Sequence, residues 1–198
     1  MEKRKTIVHF LTAIAFVIFA LQLFKIANGE ATTDRFLQSD GSYDYTPILN
    51  LYAPFLLCIV GLAGLIVTLQ DGEFMAWLGS LGAIALIAFG GYLFNGMDIA
   101  GILIGGVYTI WWGIVAIRSL AYHWDSFYWE NKVLVVTRIL TAVALGLFVV
   151  MWSNLPTAFD IVQDMTKVMP ICAWAGGLAI ASAVGLAVEG ILWIRADY

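Results

Sequence analysis

Six stretches of this chain are each long and apolar enough to cross a bilayer, and they constrain its fold more than any other feature. A spanning helix needs about 20 mostly apolar residues to cross roughly 30 Å of hydrocarbon. The windows run from about Ile7 to Ile26, Ile48 to Leu69, Phe74 to Phe94, Ile99 to Leu120, Val133 to Trp152 and Met169 to Ile194. In hydrocarbon every backbone polar group must be paired within its own segment, so runs of this kind are helices. The expectation is an all-α polytopic membrane protein, a bundle of six transmembrane helices forming a single integral membrane domain over residues 1–198. Composition agrees: 62% of the residues are hydrophobic and 12% charged, whereas soluble domains run near 45–50% and about a quarter.

The connections limit how these spans are arranged. Only Gln70–Glu73 separates the second window from the third, and only Asn95–Asp98 separates the third from the fourth. Turns so short make neighbouring spans antiparallel. With the N-terminus cytoplasmic, the inner side holds Lys3, Arg4, Lys5, Arg118, Lys132, Arg138 and Arg195, and the outer side Lys25, Arg35 and Lys167. That excess of cations inside fixes both termini in the cytoplasm and favours a plasma membrane of the bacterial inner type. The first apolar run is long for a signal peptide and no small-residue cleavage site follows it, so it is expected to remain as a span. Trp77, Trp124, Trp129, Trp152, Trp174 and Trp193 lie near the window ends, where indole rings favour the headgroup region.

Ionisable residues inside spans are costly and therefore mark candidate sites. Arg138 and Glu189 each lie five residues inside the cytoplasmic edge of the fifth and sixth spans. Equal depth on consecutive antiparallel helices predicts an Arg138–Glu189 ion pair. It reads either as a clasp that fixes the register of the two spans or as a gate or proton-coupled group at the inner mouth of a pathway.

Glu189 ends a series of small residues, Ala173, Gly177, Ala181 and Gly185, spaced by four along one slowly drifting face. Small-xxx-small spacing lets helix backbones approach closely in lipid. The face suits packing within the bundle, a seam between copies, or a narrow pathway. Near the outer end of the second span, Pro54 removes the donor that would serve the Asn50 carbonyl. Asn50, Tyr52 and Pro54 thus make a polar, kinked segment, either satisfied by neighbours or open to a passing solute. Cys58 and Cys172 fall in apolar runs with no CxxC spacing and are expected to be buried, inert thiols.

The loops differ in character. The first outer loop, Asn28 to Pro47, carries Glu30, Asp34, Asp40 and Asp44 against Arg35. An acidic exterior of this kind repels anions. The inner loop after the fourth span is aromatic, with Trp124, Phe127, Tyr128 and Trp129 close together. It suits a short helix on the membrane surface or an anchor for a partner subunit.

No nucleotide-binding, zinc-protease, CxxC or nucleophile-elbow motif occurs, so no catalytic residue, cofactor or metal is expected and an enzyme is the poorest class. With two histidines, His9 and His123, the chain lacks the usual ligands of a bis-haem bundle. No nucleic-acid partner is expected; the partners are the bilayer and either a second copy or other membrane subunits. Two functions fit: a channel or simple transporter for a small neutral or weakly charged solute, or a non-catalytic subunit or assembly factor of a larger membrane complex. In helix count, inside termini and the patterns Gly106-Val107-Tyr108 and Trp112-Gly113, the chain resembles the general architecture of acetate-uptake and acid-activated urea channels, which assemble as rings. The Asn-Pro-Ala-Pro signature of the acetate family does not occur in the first span.

Overall fold

The computed structural model describes residues 2–30, 36–37, 43–44, 54–55, 57–65, 97–125, 127–153 and 165–196. These residues are helical apart from their connections and one short strand pair. Helix α1 is Glu2–Ala27. Strands β1 (Phe36–Leu37) and β2 (Tyr43–Asp44) pair antiparallel, Phe36 opposite Asp44. Helix α2 is seen at 54–55 and 57–65, α3 is Met97–His123, α4 is Trp129–Ser153 and α5 is Met165–Ala196. Of the expected windows, the one from Phe74 to Phe94 lies outside the described residues, as do Asn50 and Tyr52. Two stretches, Lys5–Ala27 in α1 and Met169–Arg195 in α5, are long and apolar enough to cross a membrane.

The end of α1 shows local sequence setting local structure. Glu30 N–H reaches back to the Lys25 carbonyl at 2.8 Å and Gly29 N–H to that of Ile26 at 3.0 Å. This double closure needs a left-handed residue after the helix, and Gly29 supplies it at φ 73° without a Cβ penalty. Helix α5 starts four residues before the expected window and holds Pro170 within it. An apolar window excludes Thr166 and Lys167, and Pro170, the sixth residue of the helix, leaves the Thr166 carbonyl without its usual helical donor.

The helices pack as neighbours in the order α1, α5, α4, α3, so the first described helix pairs with the last. Phe24 of α1 meets Gly176 of α5, and His9 and Phe10 meet Gly190, which makes α1 and α5 antiparallel. Ser119 faces Arg138 and Thr109 faces Gly146, which makes α3 and α4 an antiparallel hairpin. Helix α2 packs on α1 through Gly61 against Thr12, and through Phe55 against Phe19 with ring centroids 6.1 Å apart. Cys58 and Cys172 are both buried in the core.

The outer faces of the helices carry large apolar side chains. Helix α1 exposes Ile7, Leu11, Ile14, Val17, Ile18 and Leu21, and buries His9, Thr12, Ala13, Phe16 and Ala20. Helix α3 exposes Val107, Ile110, Trp111, Ile114 and Ile117 and buries Trp112, Ala116 and Ser119. Such continuous apolar stripes are rare on proteins dissolved in water. The interior holds small and polar groups together with large apolar ones such as Phe16, Phe19, Leu23 and Phe55, and the outer faces are apolar as well, a surface that suits a hydrocarbon surround.

Candidate functional site

The polar residues that these apolar helices bury converge at the end of the bundle holding the start of α1 and the end of α5. Glu189 projects from α5 with its side chain 7% exposed, and its Oε2 lies 3.3 Å from Nε2 of His9, which is fully buried. The His9 Nδ1 lies 2.7 Å from the Lys5 carbonyl one turn back. A carbonyl only accepts, so Nδ1 carries a proton and donates it there. The Nε2–Oε2 approach lacks hydrogen-bond alignment, and Nε2 and Glu189 Oε1 are both buried atoms with no hydrogen-bond partner. Close by, Lys5 Nζ stands 4.8 Å over the Trp193 ring, a cation–π contact at the rim of the cluster.

Arg138 enters from α4. Its Nη1 donates to Ser119 Oγ on α3, and its guanidinium is near enough to Glu189 for the carboxylate charge to act on it. Among the described residues Glu189 therefore meets His9, not Arg138, at ion-pair distance. The expected pair is a four-residue cluster in which His9 takes the direct contact and Arg138 the longer-range one. His9 sat too close to the N-terminus to stand out in the sequence.

From this cluster a file of polar groups runs inward between α4 and α5. Thr137 Oγ1 donates to the Val133 carbonyl at 2.9 Å, Thr141 Oγ1 to Thr137 at 2.8 Å and Ser182 Oγ to Leu178 at 2.8 Å. Back-bonding of this kind satisfies each hydroxyl proton and leaves oxygen lone pairs as acceptors. Thr109 lies ten residues along α3 from Ser119, about 15 Å deeper at 1.5 Å per residue. There Thr109 Oγ1 and Trp112 Nε1, one turn apart, are buried without partners.

The series Ala173, Gly177, Ala181, Gly185 and Glu189 does not share one environment. Ala173 and Gly177 are exposed, Ala181 and Gly185 half-buried and Glu189 buried. A step of four residues advances about 40° around a helix, so four steps carry a series nearly to the opposite side. Only Gly185 makes a tight crossing, against Thr137, while a Cβ at Gly177 would meet nothing within 4 Å. Pro54 is buried at the start of the described part of α2.

The aromatic connection is a tight turn and not a surface helix. Helix α3 ends at His123 and α4 begins at Trp129, and the described residues between them form turns and bends. Five intervening positions are too few to lay down a separate helix when two long helices must reverse direction. Trp124, Tyr128 and Trp129 are exposed and Phe127 fully so, at 103%. Among the described residues no group of three or more His, Cys, Asp or Glu comes together to hold a metal ion. Comparison with protein-family models, with curated proteins and with solved structures finds no match for this chain.

Proposed function

We propose that this chain is a six-span integral membrane protein, termini in the cytoplasm of a plasma membrane of the bacterial inner type, that passes a small neutral or weakly charged solute. The observation that supports this reading best is the pair of unpartnered donors at Thr109 and Trp112, on α3 and about 15 Å along it from the Ser119 that meets Arg138. Buried donors without acceptors are costly and rare. A solute or water carrying an acceptor oxygen would satisfy them in passing, and the acceptor oxygens of Thr141 and Ser182 would receive its donors. The exposed Ala173–Gly177 step has the spacing for a second copy to pack closely.

The test is permeability of liposomes holding the purified protein, assayed with urea, glycerol, formamide and acetate. Faster entry of at least one of these than into empty liposomes, lost on substituting Trp112→Phe with Thr109→Val, is expected. No difference from empty liposomes for all four sinks the reading.

A second reading, a non-catalytic subunit of a membrane complex, is favoured by one feature. Trp124, Phe127, Tyr128 and Trp129 crowd an exposed turn, and clustered aromatics are effective interface anchors. Isolation in mild detergent separates the two: a symmetric homo-oligomer favours the channel, and a defined hetero-complex, lost with Phe127→Ser, favours the subunit.

A further inference from the structure

We infer that His9 and Glu189 form a binding site for one proton, and that Arg138 limits the site to that number. The inference goes beyond transport and holds whether or not a solute crosses.

The histidine ring is held in one orientation. With Nδ1–H committed to the Lys5 carbonyl at 2.7 Å, Nε2 is the nitrogen left to gain or lose a proton. It faces Glu189 Oε2 at 3.3 Å, and both side chains are buried. When Nε2 is bare, two lone pairs oppose each other across that distance, an unfavourable contact. Arg138 and Glu189 then balance, and the buried cluster is neutral. When a proton arrives from solution, an N–H bond forms at Nε2, no other bond breaks, and the new donor points at a carboxylate. The contact becomes a charge-assisted hydrogen bond, but the cluster now carries one net positive charge. A further proton on the bare Glu189 Oε1 would remove the one anion that the described residues place beside Arg138 and the imidazolium, and the mutual repulsion of two buried cations opposes it.

The charged neighbours are few among the described residues. On α1 they are His9 and Lys5, whose ammonium is drawn aside over Trp193. On α5, Glu189 is followed by the exposed Arg195, α4 contributes Arg138, and α3 turns the un-ionisable Ser119 toward the cluster and exposes Arg118. The described part of α2 has no charged residue.

The experiment uses nitrogen NMR of the full chain labelled with ¹⁵N-histidine, in His123→Gln so that His9 is the single histidine. Nδ1 is expected to be protonated throughout the titration while Nε2 alone changes. At a fixed pH where both His9 forms are visible, Glu189→Gln is expected to cut the doubly protonated fraction relative to the neutral form by about tenfold. Arg138→Gln is expected to raise it. An Nδ1 that loses its proton at any point overturns the inference on the His123→Gln chain alone, with no further substitution to fold. A doubly protonated fraction unmoved by Glu189→Gln, or lowered by Arg138→Gln, overturns it as well.

Discussion

Thr137 rests on Gly185 at the crossing of α4 and α5, so closely that a Cβ on the glycine would fall within the threonine hydroxyl and methyl. The same device recurs where α2 crosses α1: a Cβ at Gly61 would come within 2.6 Å of Thr12 Oγ1. At the α3–α4 crossing Thr109 lies over Gly146 with more room, at 3.5 Å. In each case a β-branched side chain, stiff about χ1, seats in the gap left by a missing Cβ. Gly185→Ala is expected to destabilise the protein by about 1–3 kcal/mol through overpacking. Gly177→Ala, in the same small-residue series but facing open space, is expected to lie within about 0.5 kcal/mol of the parent. Thermal unfolding in one detergent checks both, and equal losses at the two positions would refute the contact.

Trimming the Thr137 side chain supplies a sharper version. Thr137→Ala removes the two atoms closest to the would-be Cβ but leaves its own Cβ at 3.0 Å. In the Gly185→Ala background it is expected to recover part of the lost stability, not all. Recovery of none of it would place the strain elsewhere.

The helices themselves were legible from apolar length alone, and the described helices fall on five of the six expected windows. Contacts across helices were legible only in part. Helix periodicity carried Glu189 and Arg138 to one depth, but not which neighbour each side chain meets. That depends on α1 packing against α5, a pairing of chain ends about which no local pattern informs. His9 was missed for this reason. The spacing-by-four series was misjudged for another: about 40° of drift per step separates Ala173 from Glu189 although each step looks like the same face. The aromatic turn after α3 looked helical because its residues suit a helix, and the tight reversal overrides that propensity.

Glu189 and Arg138 are coupled through charge although their side chains do not meet at ion-pair distance. Glu189→Met strips the half-buried Arg138 of the carboxylate charge that acts on it, and a loss of about 2 kcal/mol is expected, below the 3–5 kcal/mol typical of a fully buried pair. Replacing both residues by Met removes the cation and the anion together. The double variant is expected to be more stable than the sum of the single losses by about 0.5–3 kcal/mol. A double-mutant cycle by chemical denaturation measures this term, and additive losses would remove Arg138 from the cluster.

Trp112 and Thr109 separate stability from traffic. A buried donor that has no acceptor contributes nothing to the fold, and its removal by a group of like shape is neutral or stabilising. Thr109→Val, a swap of like shape, is therefore expected to leave the unfolding temperature unchanged or raised while it slows solute entry into liposomes, whereas Trp112→Phe is expected to lower it because the smaller ring leaves a cavity in the core. A large loss of stability on Thr109→Val would mean that its hydroxyl serves the fold and not a passing molecule.

The packing geometry also fixes which connections must label from the same side if the proposed six-span topology holds. Antiparallel α1 and α5 bring residues 9 and 189 to one end, and the α3–α4 hairpin brings Ser119 and Arg138 to the same cluster. The turn holding Phe127 lies just beyond them, on the side of both termini. Strands β1 and β2 follow the other end of α1, past Gly29. In the proposed topology, which rests on the excess of cations near the termini, the end holding the termini faces the cytoplasm. With Cys58 and Cys172 replaced by alanine, Phe127→Cys is expected to react with a membrane-impermeant maleimide in inverted vesicles but not in intact cells. Tyr43→Cys is expected to react in intact cells. Labelling of both positions from one side would overturn the topology, and with it the assignment of the Glu189 cluster to an inner mouth.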